Sequence, residues 1–204
     1  MNKIALHASI LVATALLCSS CRTTMTLGGA AVVETEFDPT KKTVCLAIED
    51  GEKLYEEAKG LGFHFDASVF FEATLRNALS SYFSLDTDDD CDPEDLPIYA
   101  SLKELYFIGI LMGSWPFPLS KAESHALVEL RVLRSGEKSM SIIEKSNSFK
   151  AVEIADSRVV MVVVARAAIR DAVTRSVQRL ACNQGLVQCI DRTIEQQKIE
   201  RALL

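Results

Sequence analysis

Residues 124–133 read SHALVELRVL. Ala126, Val128, Leu130 and Val132 fall on one side of an extended chain, and His125, Leu127, Glu129, Arg131 and Leu133 fall on the other. Side chains along a strand alternate with a period of two, so this run specifies a strand with one apolar and one mixed face. Such a strand needs neighbours on its edges and a second layer over its apolar face. The rest of the chain has to supply both.

The neighbours are legible on either side. Pro97 opens a strand over about 98–110, IYASLKELYFIGI. Tyr99, Ser101, Lys103 and Leu105 read as one face, and Ala100, Leu102, Glu104 and Tyr106 as the other, before the run turns wholly apolar. Between the two strands lies GILMGSWPFP at 109–118, with the single tryptophan of the chain, Trp115. Pro116 and Pro118 lack a donor and fix φ, so this stretch is the loop at a hairpin tip. On the other side, Arg134-Ser135-Gly136-Glu137 is a turn leading to a strand over about 139–148. These three strands read as an antiparallel meander. Upstream, Thr43–Ile48, TVCLAI, is apolar without alternation, which marks a strand central in its sheet. Residues 51–65, with mixed charge, Gly60 and Gly62, read as a loop or weak helical turn.

Two helices supply the covering layer. From about Ala67 to Leu85, Phe71, Leu75, Ala78, Leu79 and Tyr82 recur at helical spacing, with Asp66 as N-cap. From Asp156 to Cys182, Val160, Val163, Ala167, Ile169, Val173, Val177 and Leu180 make one wide stripe. Arg158, Arg166, Arg170, Arg175 and Arg179 fall largely on the remaining surface, which reads as a solvated face. Arg166 breaks the apolar start too early for a membrane span. The expected fold is α+β: a single mixed/antiparallel four-stranded sheet, β-α-β-β-β-α, with two helices packed on one face.

The first twenty residues stand outside that domain. Lys3, an apolar stretch from Ile4 to Leu17 and then small residues are the layout of a secretory signal peptide. Ser19-Ser20-Cys21 resembles the lipobox of bacterial lipoproteins, with Cys18 where leucine is preferred, and the resemblance implies a lipid on Cys21. Arg22 after it implies sorting to the outer membrane, and the expected location is the cell envelope, lipid-anchored there and facing the periplasm. The expected division is signal peptide 1–20, lipid-anchored tether 21–42 and one domain over 43–204. A flexible tether of that length reaches roughly 25 Å.

Export permits disulfides. Cys182 and Cys189 flank a short polar segment and are the expected pair. Cys45 reads as a buried thiol, with Cys91 its remaining partner if it pairs at all. The run Asp86, Asp88, Asp90, Asp92 imitates the start of a calcium loop. Cys91 and Pro97 stand where glycine and glutamate are required, so it reads as a solvated turn.

No catalytic motif is present. His64 lies in a loop, His125 starts a strand, and neither accompanies a nucleophile motif. There is no phosphate loop, HExxH or CxxC, so no cofactor and no metal are expected. With 28 acidic residues against 22 basic, nothing points to nucleic acid.

The order strand, helix, three strands, long helix, behind the lipobox and a first strand ending in Glu49-Asp50, resembles small bacterial envelope lipoproteins. These are the YajG-like lipoproteins and the auxiliary lipoproteins of ABC-type lipid transport, whose domain resembles the N-terminal domain of TolB. The resemblance implies an accessory or scaffold, not an enzyme. The expected function is a membrane-anchored binding, assembly or transport-accessory module with an envelope protein partner. A lipid-ligand carrier and a lipid-anchored hydrolase are the alternatives. Leu111, Met112, Trp115 and Phe117 are the expected interaction residues. Three readings of their loop are open: it caps the core, docks a protein, or dips into the bilayer interface.

Overall fold

The computed structural model describes residues 23–28, 40–49, 54–56, 63–86, 95–112, 119–133, 139–153 and 157–187. In chain order the elements are β1 (Thr23–Thr26), β2 (Thr43–Ile48), β3 (Leu54–Glu56), β4 (Phe63–Asp66), α1 (Ser68–Ser80), β5 (Ser84–Asp86), β6 (Leu96–Met112), β7 (Leu119–Val132), β8 (Met140–Lys145), β9 (Phe149–Glu153) and α2 (Ser157–Asn183). The class is α+β, as the sequence predicts, with more strands than four.

The large sheet has six strands in the order β5-β2-β6-β7-β8, with β9 also pairing β7. β2 runs parallel to both β5 and β6, and β6, β7 and β8 form the antiparallel meander. β2 is flanked on both edges, as its apolar run demands. The expected fourth strand divides into β8 and β9, which lie end to end along β7. Ser146 sits at the break. Its backbone N–H donates to the Ala126 carbonyl at 2.9 Å and its Oγ accepts the Ala126 N–H at 2.9 Å. A side chain thus completes the ladder where the backbone leaves it.

A second, three-stranded sheet, in the order β1-β4-β3, falls where the sequence gives no strand. β3 and all but the last residue of β4 lie within 51–65, the stretch expected to be a loop or helical turn. They are three and four residues long, too short to show a period. β1 lies inside the expected tether and pairs in parallel with β4. Its sequence, TTMTL, places Met25 and Leu27 alternately with threonines, and β-branched threonine suits a strand. Leu27 is fully buried.

Asp66 opens α1 from one residue further back than an N-cap. Its Oδ1 accepts from the Ser68 N–H at 3.1 Å and the Ser68 hydroxyl at 2.6 Å, while Ala67 holds the cap position. The helix stops at Ser80, short of the expected Leu85. Ser80 Oγ donates to the Asn77 carbonyl, competing with continuation, and Lys41 Nζ donates to the Ser80 carbonyl. Ser84 then bonds the Lys42 carbonyl and starts β5.

α2 lies across β6, β7, β8 and β9 and beside α1, so both helices share one face of the large sheet. Its buried stripe is Val160, Met161, Val164, Ala165, Ala168, Ile169, Ala172, Val173, Val177, Leu180 and Ala181. Val163, expected in that stripe, is instead exposed, and Ala167 is half-buried. The helix ends on Gly185 at φ +74°, where Gly185 N–H reaches the Cys182 carbonyl and Leu186 N–H the Ala181 carbonyl. This is a Schellman closure, which needs the left-handed conformation that glycine adopts without cost. Among the described residues no helix is long and apolar enough to cross a membrane.

Candidate functional site

The β6–β7 hairpin dominates the molecule, and its two faces have different chemistry. Leu102 pairs with Val128 and Glu104 with Leu127, so Lys103 is an extra residue in β6. One extra residue exchanges the faces of everything after it. Before the bulge, Ile98, Ala100 and Leu102 point inward and are buried. After it, Leu105 and Phe107 do. The sequence expectation that grouped Leu105 with Tyr99, and Tyr106 with Ala100, fails at this bulge. The imperfect alternation at Lys103-Glu104 is the signal it left.

The outer face carries paired charges. Glu129 accepts from the Ser141 hydroxyl at 2.7 Å and lies 3.1 Å from Lys103 Nζ. The hydroxyl first, then the ammonium, hold its carboxyl below the ordinary carboxylate range. Glu123 accepts from the Ser148 hydroxyl at 2.7 Å and lies 3.5 Å from Lys150, and is lowered for the same reasons. Arg131 donates to Glu49 on the chain after β2, and this bond and charge raise its pKa further. His125 stacks on Tyr106, with ring centroids 4.6 Å apart, and its Nε2 lies 3.2 Å from Glu104. The acids on this face are matched with basic partners across the sheet, Arg131 reaching over β6 to Glu49. Among the described residues no three His, Cys, Asp or Glu side chains could hold a metal ion.

Beyond Glu123 the hairpin changes. Ile108 and Leu119 are half-buried on the outer face and Val152 of β9 is exposed there, opposite Lys121. On the inner face β7 carries only small side chains, Ser120, Ala122, Ser124 and Ala126, all buried. Gly109 on β6 lies so close to α2 that a Cβ there would stand 2.6 Å from Met161 Sδ. Ser124 satisfies its hydroxyl on the Tyr106 carbonyl at 2.6 Å.

The small sheet stacks beside this same half. Phe65 on β4 meets Phe107 with ring centroids 4.3 Å apart, and the Tyr55 hydroxyl on β3 donates to the Leu102 carbonyl. Passing from β3 to β4 therefore climbs the hairpin from Leu102 towards Phe107, and β1 is the next strand in that direction. Arg166 of α2 donates to the Leu27 carbonyl, with Nε at 2.7 Å, and fixes the end of β1.

The helix arginines expected to form a solvated face are engaged. Arg166 and Arg170 lie over the Phe70 ring at 5.3 and 5.5 Å. Arg175 pairs with Asp171 at 2.9 Å and Arg179 with Glu144 at 2.5 Å. Their tips remain partly solvated; the Arg175 pair is an i,i+4 contact within the helix, whereas the partners of Arg166, Arg170 and Arg179 are remote in the linear sequence. His64, expected in a loop, lies in β4 and is buried.

Cys45 and Cys182 are both disulfide-bonded, so Cys45 is not the free buried thiol the sequence suggested. Cys91 and Cys189, the expected partners, lie outside the described residues, as do Cys21, Trp115 and Phe117. Leu111 and Met112 form the end of β6, in register with Ser120 and Leu119. The structure thus brings two of the four expected interaction positions to the far end of the hairpin.

No protein-family model matches the chain, and no curated protein matches it by sequence. In fold it is similar to small bacterial envelope lipoproteins. Rare lipoprotein B from Shewanella oneidensis is 10% identical, over 70% of this chain and 96% of that one, with a TM-score of 0.42. A minor lipoprotein from Acinetobacter baumannii is 11% identical, over 70% and 92%, at 0.38. A DUF330 protein from Xanthomonas campestris is 9% identical, over 80% and 97%, at 0.39. At these identities and scores the likeness carries no functional weight.

Proposed function

We propose that the chain is a lipid-anchored lipoprotein of the bacterial cell envelope, acting as a non-catalytic binding, assembly or transport-accessory module. The observation that carries this reading is the apolar leader over 4–17 followed by Ser19-Ser20 and Cys21. The disulfide-bonded Cys45 and Cys182 support it independently, because disulfides persist in exported proteins and are rare in a reducing cytosol. Their partners in this reading are Cys91 and Cys189. The domain faces the periplasm from the outer membrane, and its partner is another envelope protein, met through Leu111, Met112, Trp115 and Phe117.

Mass spectrometry of the mature N-terminal peptide tests the anchor. A diacylglyceryl cysteine at position 21 is expected, and Cys21→Ala is expected to release the protein from the membrane fraction. An unmodified mature N-terminus would end this reading. Crosslinking in intact cells from position 115 tests the partner, with capture of one envelope protein the expected result.

A further inference from the structure

We propose that the end of the domain formed by the far end of the β6–β7 hairpin, the first turns of α2 and strand β1 is seated against the lipid bilayer. This rests on the reading of Cys21 as the lipidated residue and specifies which surface that lipid holds to the membrane. Thr23, the first residue of β1, follows Cys21 by two positions. Two residues of extended chain span about 7 Å. The slack expected of a long tether is absent at this point, because β1 is held to the domain along its length. It pairs with β4, Leu27 is fully buried, and the Leu27 carbonyl accepts from Arg166. A lipid on Cys21 therefore brings β1 itself to the headgroups.

The position of β1 decides what comes with it. It is the strand of the small sheet on the tip side, above the contacts of Phe65 with Phe107 and of Tyr55 with Leu102. α2 begins at that end too, since β9 pairs Glu153 with Ser120 just before the helix starts, and Met161 reaches Gly109. Here three valines are exposed: Val152 at 52%, Val159 at 56% and Val163 at 52%. Val159 and Val163 are one helical turn apart, and Val163 is the member of the expected apolar stripe that turns outward. Exposed apolar side chains at the opposite end, Leu133, Ile143 and Leu186, have no such tie to Cys21. Ile143 there pairs with Glu129, inside the network of ion pairs. Apolar groups on the end of the domain that the anchor draws to the headgroups bury area in the interface, whereas the same groups at the far end do not.

The test uses the full mature lipoprotein, extracted from membranes and reconstituted into phosphatidylethanolamine and phosphatidylglycerol vesicles. A photoreactive benzoylphenylalanine replaces Val159 or Val163, with Ile143 or Leu186 as controls of similar exposure. All four positions are solvent-exposed, so the fold tolerates the label. After flotation and irradiation, lipid adducts several-fold more abundant at 159 and 163 than at 143 and 186 are expected. Flotation with equal or absent labelling at 159 and 163 overturns the inference and leaves the lipid anchor standing. Adducts to a second copy of the chain at 159 and 163, in place of lipid, overturn it as well. Failure to float overturns the Cys21 reading, and the inference with it.

Discussion

The two halves of the β6–β7 hairpin belong to one pair of strands and are built on opposite plans. In the half below the bulge, Ile98, Leu102, Val128, Leu130 and Val132 fill the inner face, and β2 and β8 flank the pair on both edges. Its outer face is tied by ion pairs such as Lys103 with Glu129 and Arg131 with Glu49. In the half above, β7 turns inward only Ser120, Ala122, Ser124 and Ala126, and α2 approaches to contact at Gly109. Its outer face keeps Glu104 beside His125 and Glu123 beside Lys150 and, beyond Glu123, gives way to Ile108, Leu119 and Val152. One half gains stability by burying large side chains between two layers. The other buries Leu105 and Phe107 from β6 against small residues on β7, gains a close helix approach and leaves apolar groups near the surface.

If that contrast is right, the same kind of substitution has unequal effects in the two halves. Leu130→Ala, below the bulge, removes a fully buried side chain from a site walled by Ile142 and the α2 stripe. It is expected to cost about 2–5 kcal/mol, the largest effect of the set, as a lower urea midpoint at unchanged slope. A cost for Leu130→Ala below that of an exposed substitution would break the comparison at its root.

Above the bulge the sharper test is Gly109→Val. Its side chain must push Met161 and the helix away, and overpacking costs about 1–3 kcal/mol. Combining it with Met161→Ala should give back part of that cost, which a double-mutant cycle measures directly. Additive costs would mean that the close approach at Gly109 is not what shapes this half.

The sequence made the lower half far more legible than the upper. SHALVELRVL alternates large apolar with polar residues, and its buried set is the one the pattern names. The same inward face continues through Ser120, Ala122 and Ser124, but serine and alanine carry too little hydrophobicity to mark a face. The bulge at Lys103 scrambled the alternation of β6, and no local residue type announces a bulge. β1, β3 and β4 were missed because strands of three or four residues show no period. For β1 the threonines that suggest a tether are equally strand formers. The anchor residue Cys21 was read from sequence, whereas its closeness to β1 and to the exposed valines of α2 needed the fold. The helix arginines looked free because their partners, Leu27, Phe70 and Glu144, are remote in the chain.

The break between β8 and β9 lies opposite the junction of the two halves, and Ser146 bridges it. Ser146→Ala removes the acceptor of the buried Ala126 N–H. An unpaired buried donor costs about 1–3 kcal/mol. The loss should appear in hydrogen exchange first at Ala126 and its neighbours on β7, before any change at Ala100 or Leu130. Uniform loss of protection along the whole hairpin would show that the halves open as one unit.

The smallest effect tests the outer face of the lower half. Glu129 has its carboxyl lowered mainly by the Ser141 hydroxyl and next by Lys103. A carboxylate whose folded pKa lies below its unfolded value stabilises the fold above the ordinary 4.5, and that contribution is lost as pH falls through the lowered value. Ser141→Ala should therefore move the Glu129 carboxyl back up towards its ordinary value, followed by NMR of its side-chain carbon. The acid limb of the stability curve should become slightly less steep, while stability at neutral pH changes by a few tenths of a kcal/mol at most, roughly as for exposed pairs. Lys103→Met should act in the same direction and less strongly, because the ammonium is the second contributor. If Lys103→Met moved Glu129 further than Ser141→Ala, the pairing would be one of charge across the strands and not of hydroxyl geometry. The ordered outer face of the lower half would then depend on ionic strength.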